Sequence, residues 1–402
     1  MKEPASNPFE RGKARIVYRR WWMRWIFYII DAVLLIIMIP IKRLRYLKIP
    51  HDNRKILIAK LDHLGDFLIA GPTLNALRRR FKDAEIYLLT SSSSAELLTC
   101  MDIDFTRIIP LRAGWVRHNK GLNIDLRQIS RLIRWMRSEK FDLFIDLRGD
   151  VVTILTAFIA GVPEKVGFNW GGLGPLLERS FRMLPDKHMS EVLFQVARYF
   201  QDGIEFIPPD FVKDERNIKI ANEFLSKTSI EAESPLIGMQ IGAGVPARRW
   251  STEKFAQLAG LLVKQLNATI IVLGDASERQ LMGAFHQDYG GKLIDAVGKF
   301  SLPVVLEIIG KLHVLIANNS FLGHVAALKG TPVISIFSSS NDPIRWRPFG
   351  SEVEVVRAEV SCWGCGLEVC PLPESCLDKI SVSNVYEAII KTLEINSRSA
   401  YA

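Results

Sequence analysis

Several features that would settle a function at once are missing from this 402-residue chain. It has no H-E-x-x-H zinc helix, no Walker loop and no paired Ser/His nucleophile, so metalloprotease, P-loop and serine-hydrolase chemistry lack their usual residues. Cysteine is scarce, five in all, and stable disulfides are not expected in a reducing cytosol. No apolar run reaches the roughly 20 residues of a comfortable transmembrane helix. Beyond residue 55 there is no charge excess either, because 39 Lys/Arg meet 39 Asp/Glu. The net charge of +9 is carried wholly by residues 1–55, with 13 bases against four acids. A neutral body argues against a basic groove, and so against a nucleic-acid partner.

The basic segment encloses WIFYIIDAVLLIIMIPI, Trp25 to Ile41, 17 residues with Asp31 as the single charge. Arg19, Arg20 and Arg24 precede it, Lys42, Arg43 and Arg45 follow it, and Trp21 and Trp22 stand at its edge. An apolar body with aromatic edges and basic flanks suits an anionic membrane surface. As a helix the run would be about 25 Å long, somewhat short of the bilayer core. Asp31 would cost on the order of 3 kcal/mol near the bilayer centre. A monotopic or re-entrant helix with both flanks cytoplasmic is therefore favoured over a span, membrane association running through residues 20–45. The plainer reading is a buried core helix. A cleaved signal peptide fits poorly, since the charged lead-in is long and no small-residue cleavage site follows.

The rest of the chain alternates strand and helix patterns, which predicts α/β architecture with parallel sheets covered on both faces. Residues 51–205 form one expected Rossmann-like domain and residues 206–402 a second, after a membrane-associating segment 1–50. Strands are expected at Lys55–Lys60, Glu85–Thr90, Phe105–Leu111, Phe141–Leu147 and Lys165–Phe168, with a helix over Ile124–Arg137 carrying the stripe Leu126, Ile129, Ile133 and Met136. The glycine-rich Gly167–Gly174 is read as a mobile loop able to close over a substrate, or as an ordinary surface turn. Ile204–Asp210, with Pro208 and Pro209, is the expected joint, and a cleft between the two halves the expected ligand site.

The stretch KILIAKLDHLGDFLIAGPTLNALRRRF, from Lys55, reads as strand, polar loop and helix. In an open parallel sheet such a loop leaves the carboxyl end of its strand, where ligands bind. It carries Asp66 beside Gly65, and a carboxylate there serves as a general base; the plainer reading makes Asp66 a helix cap. In the second half, three loops point to one sheet edge. Gly242 and Gly244 precede Arg248, Arg249 and Trp250, glycine amides and a guanidinium being suited to phosphate. Glu278 follows Gly274 and Asp275, an acid placed to accept from ribose hydroxyls. Asn318, Asn319 and Ser320 open a helix that contains His324, with free N–H groups suited to a diphosphate. Taken singly these are caps, surface charge and a core imidazole; together at successive strand ends they suggest a nucleotide-diphosphate site.

Cys362, Cys365, Cys370 and Cys376 cluster as C-x2-C-x4-C-x5-C. Two readings stay open: a structural zinc site, or free thiols used in packing. Cys100 stands alone and is expected in a core.

The GD pair after the first strand, the RRW after strand-end glycines, and ANNSFLGHVAALKGTPVISIFSSSNDPIRWRPFG resemble the family 9 glycosyltransferases, the bacterial lipopolysaccharide heptosyltransferases. The likeness runs from about Lys55 to Glu394. It implies two Rossmann-like domains in the GT-B arrangement, and inverting transfer of a sugar, typically heptose from ADP-heptose, to a lipid-linked lipopolysaccharide acceptor. The expected location is the cytoplasmic face of the inner membrane, with no cofactor required for catalysis. Asp66 then matches the proposed base, Arg248 falls where the family usually has a phosphate-steadying Lys, and Glu278 matches a ribose-binding acid. The family pattern Asp-[Ser/Thr]-Gly, followed two residues later by His, becomes Asn319-Ser320-Phe321-Leu322-Gly323-His324 here. Asn for Asp and Phe for Gly leave two alternatives beside ADP-heptose: another nucleotide sugar serving a different cell-surface glycan, and a noncatalytic protein that binds with the same fold.

Overall fold

Ile56, Leu57, Ile58 and Ala59 are buried on both faces, as only a strand enclosed within a covered sheet allows, and they form the centre of β1 (Lys55–Lys60). The computed structural model describes residues 21–45, 55–114, 125–228, 234–350 and 352–399. The chain divides between Asp210 and Phe211 into two compact units.

In the first unit β1 is joined by β2 (Glu85–Thr90), β3 (Arg107–Pro110), β4 (Leu143–Asp146), β5 (Glu164–Phe168) and β6 (Arg179–Phe181). Their order is β3-β2-β1-β4-β5-β6, every pairing parallel. The second unit has β7 (Leu236–Gln240), β8 (Thr269–Val272), β9 (Ile294–Asp295), β10 (Val314–Asn318), β11 (Val333–Phe337) and β12 (Val353–Arg357). Their order, β12-β11-β10-β7-β8-β9, repeats the same topology. Strand order reverses between β1 and β4 in one sheet and between β7 and β10 in the other. Those are the points at which doubly wound sheets bind ligands, outside the carboxyl ends of the strands.

The helices of the first unit are α1 (Trp21–Arg45), α2 (Leu64–Ile69), α3 (Gly71–Arg80), α4 (Ser92–Leu98), α5 (Leu126–Glu139), α6 (Val151–Ala160) and α7 (Met189–Phe200). Those of the second are α8 (Glu215–Ser226), α9 (Thr252–Leu266), α10 (Arg279–Tyr289), α11 (Leu302–Ile309), α12 (Phe321–Leu328), α13 (Pro343–Trp346) and α14 (Val382–Ser399). One core gathers Leu57, Phe144, Leu132 and Met136 between β1, β4 and α5. The other gathers Ile237, Ile316, Trp250, Phe255 and Ile389, so α14 seals the second sheet beside α9.

Two expectations change. Trp25–Ile41 does lie in a helix, but among the described residues no helix is long and apolar enough to cross a membrane. One face of α1 is occupied by protein: Met38 is buried with Ile154, Leu176 and Leu177, and Asp31 accepts from the backbone N–H of Leu173 at 2.7 Å. The monotopic or re-entrant membrane helix expected here is thus not supported by the fold, which shows α1 with one face packed on protein. Arg19 and Arg20 lie outside the described residues.

Second, Gly167–Gly174 is a fastened turn. Trp170 stacks on Phe168 with ring centroids 4.3 Å apart and donates its indole N–H to Arg148 O, while Leu173 is held by Asp31. The Pro208–Pro209 stretch, expected as the joint, ends at the division between the units and lies along the first, where Asn75 Nδ2 donates to Ile207 O at 3.1 Å and Asp102 N to Asp210 O at 2.9 Å.

Candidate functional site

Each sheet collects its polar side chains at its switch point. In the first unit β1 runs out through Leu61, Asp62 and His63 into α2. Asp66 is the third residue of that helix, inside its first turn, rather than in the loop before it. His63 holds the N-cap position without a side-chain cap bond, so Asp66 is not the N-cap. A carboxylate in a first turn sits at the positive end of the helix dipole. Asp66 is half-buried.

Beside it lies a charge cluster that motif reading passed over. Lys60 Nζ stands 2.7 Å from Asp62 Oδ2, and Arg148, from the loop after β4, donates to both Asp62 Oδ1 and Leu61 O. Burial would push the Asp62 carboxyl up, but the Lys60 ammonium and the Arg148 guanidinium outweigh it and hold the group below the usual range. The Ser91 and Ser94 hydroxyls donate to Asp62 O at 3.0 and 3.2 Å, tying the β2 loop to the same point. At the end of β4, Asp146 is fully buried. It accepts from Arg148 N at 2.7 Å, from Gly149 N and from the Thr153 hydroxyl. Burial, reinforced by the Asp150 carboxylate, pushes Asp146 up to about 6. Gly149 turns at φ +71°, and a Cβ there would fall 2.3 Å from Trp170 Nε1. The signal was available: KLD and DLRGD each follow a buried strand, and charge placed directly after a buried strand at a switch point needs partners.

In the second unit the organising residue is Asn318, at the end of β10. Its amide donates to Ile241 O and Gly242 O, both at 3.1 Å, and its carbonyl accepts from Trp250 N at 2.9 Å. One buried side chain thereby holds the whole β7 loop, with Gly242 and Arg248, against β10. Asn319 is buried next to it, and its backbone N–H donates to Ile336 O at 3.0 Å. Ser320 is the N-cap of α12, yet its hydroxyl turns to Gln240 Oε1 instead of capping the helix. His324 is buried within α12, and Phe321 begins that helix. Arg248 donates from Nη2 to Asn341 Oδ1 at 3.0 Å, while Arg249 donates to Ala243 O at 2.9 Å. Glu278, after β8, accepts from Asp275 N at 3.2 Å and packs against Gly242 and Gly274. Burial, then the neighbouring Asp275, raises its carboxyl above the usual range.

Gly242 has a role beyond backbone approach to a phosphate. A Cβ at this position would lie 1.7 Å from Glu278 Oε1, so the missing side chain is what lets the acid lie across the β7 loop. Gly242, Arg248, Glu278, Asn319 and Ser320 lie in the segments that leave the carboxyl ends of β7, β8 and β10, while His324 is buried within α12. The sequence places Asn318 in the Asn318-Asn319-Ser320 loop but does not mark it as the residue that organises it, and Asn341 was not anticipated; the adjacent amides of Asn318 and Asn319 offer no way to tell from sequence which faces inward.

The cysteines do not support the zinc reading. Cys362, Cys365, Cys370 and Cys376 are free thiols, and among the described residues no three His, Cys, Asp or Glu are grouped to hold a metal ion. Cys376 Sγ accepts from Ser339 N at 3.2 Å, and Gly364 N donates to Ser339 O at 2.7 Å, so this segment clips onto the loop after β11. Burial raises the Cys365 thiol, and the three other thiols add to the shift. Cys100 is buried, as expected.

Two doubly wound parallel sheets in one chain, with a carboxylate at one switch point and guanidinium, amide and acid at the other, are consistent with the GT-B class of glycosyltransferases. The chain belongs to glycosyltransferase family 9 (heptosyltransferase), whose model matches residues 129–375. It is 23% identical over 320 residues to lipopolysaccharide heptosyltransferase 2 of Escherichia coli, covering 75% of this chain and 88% of that one. To the Salmonella typhimurium enzyme of the same name it is 24% identical over 316 residues, with the same coverage. Among solved structures, a family 9 glycosyl transferase from Veillonella parvula superposes with a TM-score of 0.73 at 21% identity, over 85% of this chain and 97% of that one. The Escherichia coli ADP-heptose lipopolysaccharide heptosyltransferase II gives 0.65 at 21% identity, over 85% and 99%. The protein is a glycosyltransferase of this family.

Proposed function

We propose that the enzyme transfers heptose from ADP-heptose, with inversion, to a hydroxyl of a lipid-linked lipopolysaccharide-type acceptor at the cytoplasmic face of the inner membrane. The observation that carries this reading is that each of the two sheets gathers polar side chains at its own switch point. Asp66 follows β1 in one sheet, and Arg248, Asn319, Ser320 and Glu278 surround the equivalent strand ends in the other.

In this mechanism Asp66 takes the proton of the acceptor hydroxyl as its oxygen attacks the anomeric carbon. The bond from that carbon to the diphosphate oxygen breaks, and its electron pair leaves on the nucleoside diphosphate. Arg248 and the N–H groups opening α12 take up the charge that develops there. Glu278 accepts from ribose hydroxyls, and the Asn319 carbonyl accepts from one sugar hydroxyl. His324, buried in α12, backs the residues that open the helix.

A second reading keeps the chemistry and changes the donor. Its support is Asn319 and Phe321, which stand where the family pattern has Asp and Gly: one acceptor of sugar hydroxyls is lost and a ring narrows the helix opening. Mass spectrometry of purified protein with ADP-, GDP- and UDP-sugars and a deacylated core acceptor separates the two. Transfer from ADP-heptose supports the first, transfer from a GDP- or UDP-sugar supports the second, and binding without transfer from any donor would overturn both in favour of a noncatalytic protein.

A further inference from the structure

α1 has two unlike faces. Phe27, Asp31, Leu34 and Met38 recur at helical spacing and meet the first unit. The Phe27 ring lies so close to Gly172 that a Cβ added there would be 2.6 Å from it. Asp31 accepts from Leu173 N, and Leu34 and Met38 join Ile154, Leu176 and Leu177. The opposite stripe is Trp25, Ile29, Val33 and Ile36, which stand 63, 62, 52 and 74% exposed. Of the eighteen large apolar side chains exposed among the described residues, eight lie between Trp25 and Ile37. That is a concentrated patch, unlike the single apolar residues scattered over an ordinary surface.

We infer that this stripe is a lipid-docking face, holding α1 in the plane of one leaflet with its back fastened to the first unit. The inference deepens the partner named in the proposed function, and rests on that reading only for its choice of a lipid-linked acceptor. Three observations select an anionic bilayer as the occupant. The whole positive excess of the protein lies in residues 1–55, within and on either side of this helix in sequence, and complements anionic headgroups. The one acid of the apolar run, Asp31, is turned from the exposed stripe and satisfied by a backbone N–H. Trp25, at one end of the stripe, is the amphipathic residue that favours the headgroup level. The stripe spans about 17 Å along the helix, enough for several apolar side chains to enter a leaflet together.

Docking would also reach the acceptor side of the enzyme. The loop that Asp31 and Phe27 hold, residues 170–174, also carries Trp170, which donates to Arg148 O beside Asp62. A leaflet-bound α1 therefore fixes the height of the β1/β4 switch point above the lipid surface, where a lipid-linked hydroxyl is presented.

The test is co-flotation of the full chain with vesicles of phosphatidylcholine, with and without phosphatidylglycerol. The wild type should float with the mixed vesicles and far less with the neutral ones, and Ile29→Glu combined with Ile36→Glu should lower the bound fraction roughly tenfold or more. ADP binding measured on the same variant separates this from the transferase reading, because both changes are on exposed positions outside the donor loops and should leave it unaltered. A double variant that floats as well as the wild type overturns the inference. So does a wild type that stays unbound and sediments as a dimer which the double variant abolishes, since the stripe would then belong to a second copy of the chain.

Discussion

Arg148 reaches from the loop after β4 to the Asp62 carboxylate after β1, and so bridges the strands between which the order of the first sheet reverses. Both side chains are largely buried, and Lys60 shares the same carboxylate at 2.7 Å. Arg148→Met would leave Asp62 with one cation and Leu61 O without a donor. Removing one partner of a buried pair costs about 3 kcal/mol. A urea unfolding series should show the midpoint fall accordingly; an unshifted midpoint would mean that Lys60 alone compensates the acid.

Asp146 should make stability fall as pH rises. Its carboxyl titrates near 6 in the folded protein against 3.8 for the unperturbed group. Between those values the folded state holds a proton that the unfolded state has released, so the slope of unfolding free energy with pH is negative. The full effect is about 3 kcal/mol, absent below the unfolded value and complete above the folded one. Asp146→Asn should flatten this slope between pH 4 and roughly 6.5 in urea titrations. A wild-type slope retained in the variant would place its origin elsewhere.

Gly242→Ala should act on donor binding more than on folding. The added methyl takes the space of Glu278 Oε1 and drives that side chain off the β7 loop. ADP affinity measured by calorimetry should drop by about tenfold, near the worth of a hydrogen bond involving a charged group. Affinity at the wild-type level would show that Glu278 swings away whenever nucleotide binds.

Asn318→Ala removes three hydrogen bonds at once and leaves Trp250 N and two carbonyls buried without their partner. A loss of about 3 kcal/mol is expected, with weaker ADP binding as the loop carrying Arg248 loosens. Asn318→Asp keeps the acceptor for Trp250 N but sets a second carboxylate oxygen against the two carbonyls and buries a charge, and so should cost at least as much as alanine.

Much of the architecture was written in short-range pattern. The unbroken apolar run of β1 is found where the pattern puts it, as is β2 over Glu85–Thr90, and two parallel α/β sheets follow from the alternation of strand and helix patterns along the chain. What escaped depends on partners distant in sequence. β6 is three residues, Arg179–Phe181, too short to alternate visibly. The α5 stripe was drawn through Leu126, which stands 74% exposed, whereas Leu132 and Met136 enter the core. Asp31 reads as a charge inside a membrane run until Leu173, 142 residues away, supplies its donor. The same holds for the site. Asp66, Arg248, Glu278 and Ser320 were visible as strand-end chemistry, but the buried amide of Asn318 and the Lys60–Asp62–Arg148 cluster gain meaning only once β1 meets β4 and β7 meets β10.

The account turns on Asp66 as the base. The decisive measurement compares Asp66→Asn with the wild type for sugar transfer and for ADP binding, in the same preparation. Turnover should fall by about a hundredfold or more, as expected when a general base is removed, while ADP affinity stays at the wild-type level. Turnover equal to the wild type would take Asp66 out of the mechanism and contradict the account.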